Sequence, residues 1–279
     1  MLLIADSGST KTQWCLVKEG EIIKQIFTKG INPFYQSESE IKSEIELHLL
    51  PELLGEKIDR ICFYGAGCSF PDKKMVVSNA LGFLFRDVMI EVYSDLLAAA
   101  RSLFGIEKGI ACILGTGSNS CYNDGIHIVE NISPLGFVLG DEGSGAVLGK
   151  TLVADCLKNQ LSEELKTKFL VQYDLTPAEI LEAVYKKPFP NRFLAQFTPF
   201  LSENIANSSI YNIVYNGFLA FLKRNVMQYE LEGLKIGVVG SVGYYMKDVL
   251  SKAALDSGLT VDYVVKSPMS GLIKYHENN

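Results

Sequence analysis

At 279 residues, with 48% hydrophobic and 21% charged side chains and a formal net charge of −6, the chain has the composition of a folded protein with one large domain or two smaller ones. The acidic balance is spread along the chain and no Lys/Arg-rich stripe occurs, which argues against nucleic acid or an anionic membrane as partner. Met1–Asp6 reaches an acid after too few apolar residues for a signal peptide. No later stretch offers about 18 uncharged apolar residues, so a cytoplasmic protein is expected.

In chain order, Leu2–Ala5, Gln13–Val17 and Glu21–Phe27 are short apolar or alternating runs separated by turn residues, and they predict a three-stranded antiparallel meander. Ser37 with Glu40 makes a capping box, and Ile41, Ile45 and Leu49 recur at helical spacing up to about Leu54. A strand at 58–64, a helix near 72–85, a strand at 89–93 and a helix at 96–104 follow, an alternation that signals parallel α/β pairing. At 109–114 the opening pattern restarts: strand, Gly115-Thr116-Gly117-Ser118 turn, strand near 119–123, Asp124-Gly125 turn, strand at 126–132. The chain thus repeats its own beginning.

Helices are then expected at 144–157, 163–172, 177–185, 192–203 and 209–229. A strand at 235–239, a loop at 240–243, a helix at 244–256, a strand at 260–264 and a short helix after Pro268 complete the chain. Phe189, Phe193, Phe197 and Phe200, and likewise Tyr211, Tyr215, Phe218 and Phe221, read as packing stripes, in the core or on a dimer face. The domain boundary is placed near Leu114.

Six cysteines lie mostly inside apolar strand-like or helical runs with no C-x-x-C pair, and His48, His127 and His276 stand far apart. Buried thiols are expected, and no zinc or iron–sulfur site. Gly149-Lys150-Thr151 ends like a Walker loop, but Ser144 stands where the first Gly belongs. The glycines at 237, 240 and 243 have the wrong spacing for a dinucleotide fingerprint.

The repeated turn carries the chemical content. Gly8-Ser9-Thr10-Lys11-Thr12, after Asp6-Ser7, and Gly115-Thr116-Gly117-Ser118-Asn119-Ser120 each follow an apolar strand and precede another. Glycines let backbone N–H groups approach an anion, and hydroxyls add donors, so a matching pair can clasp a triphosphate. Either turn alone reads equally as an ordinary hairpin. The Gly240-Ser241-Val242 stretch can seat an adenosine ring against backbone.

These motifs together resemble the N-acetylglucosamine kinase group of the sugar kinase, chaperone and actin superfamily, related to the 2-hydroxyacyl-CoA dehydratase activator ATPases. The likeness rests on Asp6–Thr12, Leu114–Ser120, Val239–Gly243 and Gly140-Asp141-Glu142-Gly143-Ser144. It departs from the family's D-G-G-G-T-K-T in Ser7 and Ser9. The resemblance implies two ribonuclease H-like, actin-like ATPase domains hinged around a cleft, spanning 1–114 and 115–267, with a terminal helix at about 268–279 available to pack on the first. It implies ATP and Mg²⁺ as cofactors and an amino sugar, N-acetylglucosamine first, as substrate.

Carried over residue by residue, Asp95 matches the catalytic Asp and Asp6 the acid that holds Mg²⁺. Gly8–Thr12, Gly115–Ser118 and Gly240–Val242 match the ATP contacts. Asn32, Gly65, Ala66, Gly67, Asn119, Asp141, Glu142 and Gly143 match the sugar-binding positions. From position alone Asp95 also reads as a helix cap, Asp6 and Asn32 as turn residues, Lys11 as a solvated strand residue and Glu142 as a helix N-terminal acid. A partner-driven ATPase of the activator type and a sugar-binding regulator are the competing functions, and a homodimer is left open.

Overall fold

The computed structural model describes residues 1–278. They form two compact units. The first comprises Met1–Glu107, Gly125–His127 and the segment from Ser267 on; the second comprises Lys108–Asp124 and Ile128–Lys266.

The first unit runs β1 (Leu2–Ser7), β2 (Lys11–Lys18), β3 (Glu21–Lys29), α1 (Glu38–His48), β4 (Arg60–Gly65), α2 (Pro71–Leu84), β5 (Met89–Ser94) and α3 (Asp95–Phe104), and the terminal helix Met269–Asn278 joins it. Its sheet has the order β3-β2-β1-β4-β5. β1 lies at the centre, antiparallel to β2 (Ser7 opposite Thr12) and parallel to β4 (Asp6 beside Tyr64).

Side chains alternate across a strand, so β1 serves both faces. Leu3 and Ala5 pack with Trp14 and Leu16 against Ile41 and Ile45 of α1 and Val77 and Leu81 of α2. Ile4 packs with Cys15, Cys62 and Tyr64 against Ala98 of α3 and Met269, Leu272 and Ile273 of the terminal helix. The same parity sends Asp6 to the α3 face. α1 starts where expected: Ser37 Oγ accepts from Glu40 N–H and the Glu40 carboxylate accepts from Ser37 N–H, a closed capping box.

The second unit opens with β6 (Gly109–Leu114), β7 (Ser118–Asn123) and β8 (Ile128–Ile132). Eight helices follow with little interruption: α4 (Gly136–Leu139), α5 (Gly145–Leu157), α6 (Glu163–Tyr173), α7 (Pro177–Tyr185), α8 (Pro190–Ala195), α9 (Thr198–Glu203) and α10 (Ser208–Arg224), then, after β9 (Ile236–Val239), α11 (Ser241–Tyr245). α12 (Lys247–Asp256) and β10 (Tyr263–Val265) close the unit. The sheet order is β10-β9-β6-β7-β8, with β6–β7 and β7–β8 antiparallel and β6–β9 and β9–β10 parallel. That is the first sheet repeated, with β6 in the place of β1. A register shift falls at the matching place in each meander, at Leu16/Val17 and at Tyr122/Asn123. The protein is therefore an α/β chain of two mixed five-stranded sheets that share one topology.

Three details depart from the sequence reading. Residues 109–114 were grouped with the first domain, but they are the central strand of the second sheet, held between β7 and β9. The expected single helix at 192–203 is two, because Pro199 cannot donate a backbone hydrogen bond and starts a fresh helix within the first turn of α9. The glycine stretch at 240–243 is not a free loop, since α11 begins at Ser241 and α12 restarts at Lys247. All six cysteines are buried free thiols. Among the described residues no helix is long and apolar enough to cross a membrane.

Candidate active site

In the first unit two carboxylates come together at the C-terminal edge of the sheet. Asp6 is the next-to-last residue of β1, and Asp95 is the first residue of α3, directly after β5. The helix cap is Ser94, whose hydroxyl accepts from Leu97 N–H at 3.2 Å, so Asp95 is not spent on that role. One oxygen of Asp95 accepts from Leu96 N–H at 2.9 Å.

Burial pushes Asp95 up to about 6 against the pull of the backbone donors at the helix start. Burial first, and the charge of Asp95 second, push Asp6 up to about 7, opposed by Lys11. Both carboxyls keep a strip of accessible surface, so they are restrained from ionising without being sealed from solvent. Lys11 lies with its ammonium 4.8 Å from the Phe27 ring centroid. It is exposed at the mouth of the turn.

Both acids are raised chiefly by burial, so their ionised forms are disfavoured in the folded state. Between the ordinary Asp value and about 7 the folded state holds more protons than the unfolded one, so this pair costs stability increasingly as pH rises through that window. Asp6→Asn is therefore expected to raise the melting temperature clearly at about pH 8 and much less at about pH 5, read by thermal denaturation without nucleotide.

The first turn folds back on itself through Gly8 N–H donating to Lys11 O at 3.1 Å. Gly8 and Thr10 are exposed and Ser9 half-buried, which leaves their groups accessible. Thr12, grouped with the ATP contacts, is different. It has no exposed surface; its hydroxyl donates to Lys29 O at 3.0 Å and shares a 2.7 Å hydrogen bond with Ser7. Ser7 in turn bonds both the carbonyl and the amide of Ile31. These two hydroxyls tie β1, β2 and the strand exit after β3, which is a structural assignment for Thr12. Thr12→Val should cost about 1 kcal/mol of stability, measured by urea unfolding, and leave the KM for ATP unchanged.

The sugar-side residues of this unit also converge. Asn32 Oδ1 accepts from Phe34 N–H at 3.0 Å, closing a turn before α1. The same carboxamide lies on Gly67, where an added Cβ would fall 2.4 Å from Oδ1 and where φ is +81°. Ala66 N–H donates to Ser7 O at 2.9 Å, which fixes the Gly65-Ala66-Gly67 turn to the end of β1.

In the second unit the Gly115–Ser118 turn rests on the start of α5. Gly145 and Ala146 N–H donate to the carbonyls of Gly115 and Thr116 at 2.8 and 3.0 Å. Asp141 reaches the other side of the turn, its Oδ1 accepting from Ser118 N–H at 3.3 Å. Burial pushes Asp141 up to about 6, the Ser118 amide opposing and the Glu142 charge adding. Gly240 lies on this turn as well; with φ at +129° and an added Cβ 2.2 Å from Leu114 O, only a glycine backbone fits there.

Not every expected sugar contact is available. Glu142 is held by an ion pair to Arg224 at 2.9 Å and by Asn225 at 3.4 Å, and its side chain is 13% exposed. Gly143 packs on Phe221 and Gly217 of α10. Both serve to lock the turn after Asp141. Asn119 spends its Oδ1 on Ser120 N–H and Asn131 Nδ2, each at 2.9 Å.

A pocket of about 350 Å³ opens beside the Gly240 stretch. Ser241, Val242, Tyr245 and Met246 line one side, and Thr198, Pro199, Ser202 and Glu203 of α9 the other. Val242 is nearly buried and forms part of the wall. The α9 side was absent from the sequence reading. Its signal was Pro199, which starts a separate helix, α9, beside the pocket.

No family model matches the chain, and no curated protein matches it either. Solved structures do. A protein of Porphyromonas gingivalis, provisionally named an N-acetylglucosamine kinase, is 49% identical and superposes over 100% of this chain and 99% of its own with a TM-score of 0.97. A Chromobacterium violaceum protein with the same provisional name is 17% identical, covering 98% of both chains at a TM-score of 0.71, and a sugar kinase so described from Cytophaga hutchinsonii is 17% identical, covering 99% and 98% at 0.50. The last two share the fold alone. Full-length identity near one half, on top of the doubled sheet and its glycine turns, decides the matter: the chain belongs to the N-acetylglucosamine kinase-like family.

Proposed function

We propose that the protein is an ATP-dependent sugar kinase that transfers the γ-phosphate to a hydroxyl of an amino sugar, N-acetylglucosamine first, in the cytoplasm. The observation that carries the reading is the Asp6–Asp95 pair, two raised carboxyls with separate surroundings at one sheet edge. Buried carboxyls whose pKa values are raised toward neutrality suit an acid–base and a charge-binding role.

Asp95 is assigned as the base. Unspent as a cap and held only by backbone N–H groups at the helix start, its carboxylate is assigned to accept the proton of the acceptor hydroxyl and aim its oxygen at phosphorus. Asp6 is assigned to Mg²⁺. A Mg²⁺ that keeps several waters needs only one or two carboxylates besides the nucleotide's own phosphates. When bound, the ion neutralises charge developing on the transferred group.

Gly8–Lys11 and Gly115–Ser118 are assigned to the phosphates, and the pocket walled by Ser241, Val242 and α9 to adenosine. Asn32, with the Gly65–Gly67 backbone, and Asp141 are assigned to sugar hydroxyls. A site that hydrogen-bonds such groups rejects analogues lacking them far more strongly than an apolar pocket does. An activator-type ATPase would need surface cysteines for its cluster, and these six are buried.

Incubation with Mg·ATP and a panel of amino sugars and plain hexoses, read by the mass of the phosphorylated product, tests the reading. One strongly preferred amino sugar is expected. Equal use of plain hexoses, or none of either, would discard it.

A further inference from the structure

The terminal helix and α3 meet on the sheet face that also carries Asp6. Their backbones touch at Gly271, where an added Cβ would lie 2.2 Å from Ser102 O. Next to this contact, Arg101 of α3 donates to Tyr64 Oη at 2.8 Å, and Tyr64 Oη lies 2.8 Å from His276 Nε2. Burial, with Arg60 and Arg101 adding, lowers His276 to about 4, so the ring is neutral, and Tyr64 Oη and Nε2 share a hydrogen bond whose direction follows the ring's tautomer.

Further groups brace this chain. Tyr64 stacks on Tyr93 with centroids 5.1 Å apart, and the Arg101 guanidinium lies 4.3 Å over Tyr93 and 4.8 Å over Tyr275. Tyr93 Oη donates to Glu91 at 2.7 Å, and Arg60 pairs with the same carboxylate at 2.6 Å. The opposite end of the terminal segment is also fastened, Ser267 Oγ donating to Gln13 Oε1 at 3.2 Å, and Gln13 stands opposite Asp6 in the sheet. Ser94 and Leu96 hold only the first turn of α3. Further along, Ala98 packs against Ile4 and Tyr64, and Arg101, six residues after Asp95, ties the helix to Tyr64 by a hydrogen bond.

We propose that His276, Tyr64 and Arg101 are positioning residues for Asp95, a hydrogen-bonded bolt through which the C-terminal helix fixes α3 and hence the carboxylate at its first residue. The proposal rests on the assignment of Asp95 as base. Serial hydrogen bonds anchored on a guanidinium reinforce one another, and a shift of about 1 Å in a reacting group can cost up to ~100-fold in rate.

The full-length protein is assayed as wild type, His276→Leu, His276→Gln, Tyr64→Phe, the double variant His276→Leu/Tyr64→Phe, and Asp95→Asn. With His276→Leu, kcat is expected to fall about tenfold while the KM values for sugar and ATP stay within about twofold, since the displaced group acts on the reacting hydroxyl and not on ground-state binding. His276→Gln, which keeps an acceptor at similar reach, should recover most of the loss. Tyr64→Phe keeps the ring stack, should show the same fall, and should add little in the double variant, as members of one chain do. If His276→Leu fails to fold, Tyr64→Phe carries the test. Unchanged kcat in the folded variants with an inactive Asp95→Asn, or no rescue by Gln, overturns the bolt alone. An active Asp95→Asn overturns the assignment beneath it.

Discussion

Asp95→Asn is expected to lower kcat by about 10²–10⁴-fold while leaving sugar binding intact, because the amide keeps the size and the hydrogen bond to Leu96 but cannot take a proton. The same side chain sets a pH signature. With Asp95 pushed up to about 6, the base of the free protein is ionised above that pH and protonated below it, so kcat/KM should fall as pH drops through about 6. This limb lies well above the ordinary Asp range, and its cause is burial at the sheet edge. Initial rates from about pH 5 to 8 measure it. A limb below about pH 5 would mean that some other carboxylate governs turnover.

Gly240→Ala has the largest expected effect on the second unit. At φ +129° and ψ 154°, the residue occupies backbone space that is essentially closed to side chains, and the new methyl would meet the Leu114 carbonyl at 2.2 Å. Both penalties act at once. A loss of about 3 kcal/mol or more is expected by urea denaturation, together with a rise in the KM for ATP, since the same movement shifts Gly115 and the pocket wall at Ser241. Preserved stability would mean that the strand end yields without cost.

Much of this was legible in the residues. The meander announced itself because its strands alternate and its turns are rich in Gly and Asp, and its recurrence at 109–132 signalled a second copy of the sheet. Ser37 with Glu40 marked a helix start that the structure reproduces hydrogen bond for hydrogen bond. Asp6, Asn32, Gly65–Gly67 and Asp95 all belong to the first unit, at strand ends where a parallel sheet exposes chemistry.

What escaped the reading is what depends on distant partners. β6 pairs with β7 next to it, but its other neighbour, β9, arrives more than a hundred residues later, and no local pattern foretells that parallel pairing. Thr12 sits inside a glycine and hydroxyl run typical of phosphate contacts, yet Ser7 and the carbonyl of Lys29 claim its hydroxyl. Glu142, which matched a sugar-binding position and also read as a helix N-terminal acid, is engaged by Arg224 and Asn225 at the end of α10. The aromatic stripe from Phe189 to Phe200 keeps a helical period across the break at Pro199, so periodicity alone could not reveal the two helices or the pocket wall they form.

Release of ADP from Mg·ATP by the wild-type protein, with and without N-acetylglucosamine, tests the central claim most directly. The account predicts release that depends on the sugar and disappears in Asp95→Asn; release at the same rate without any sugar would contradict it.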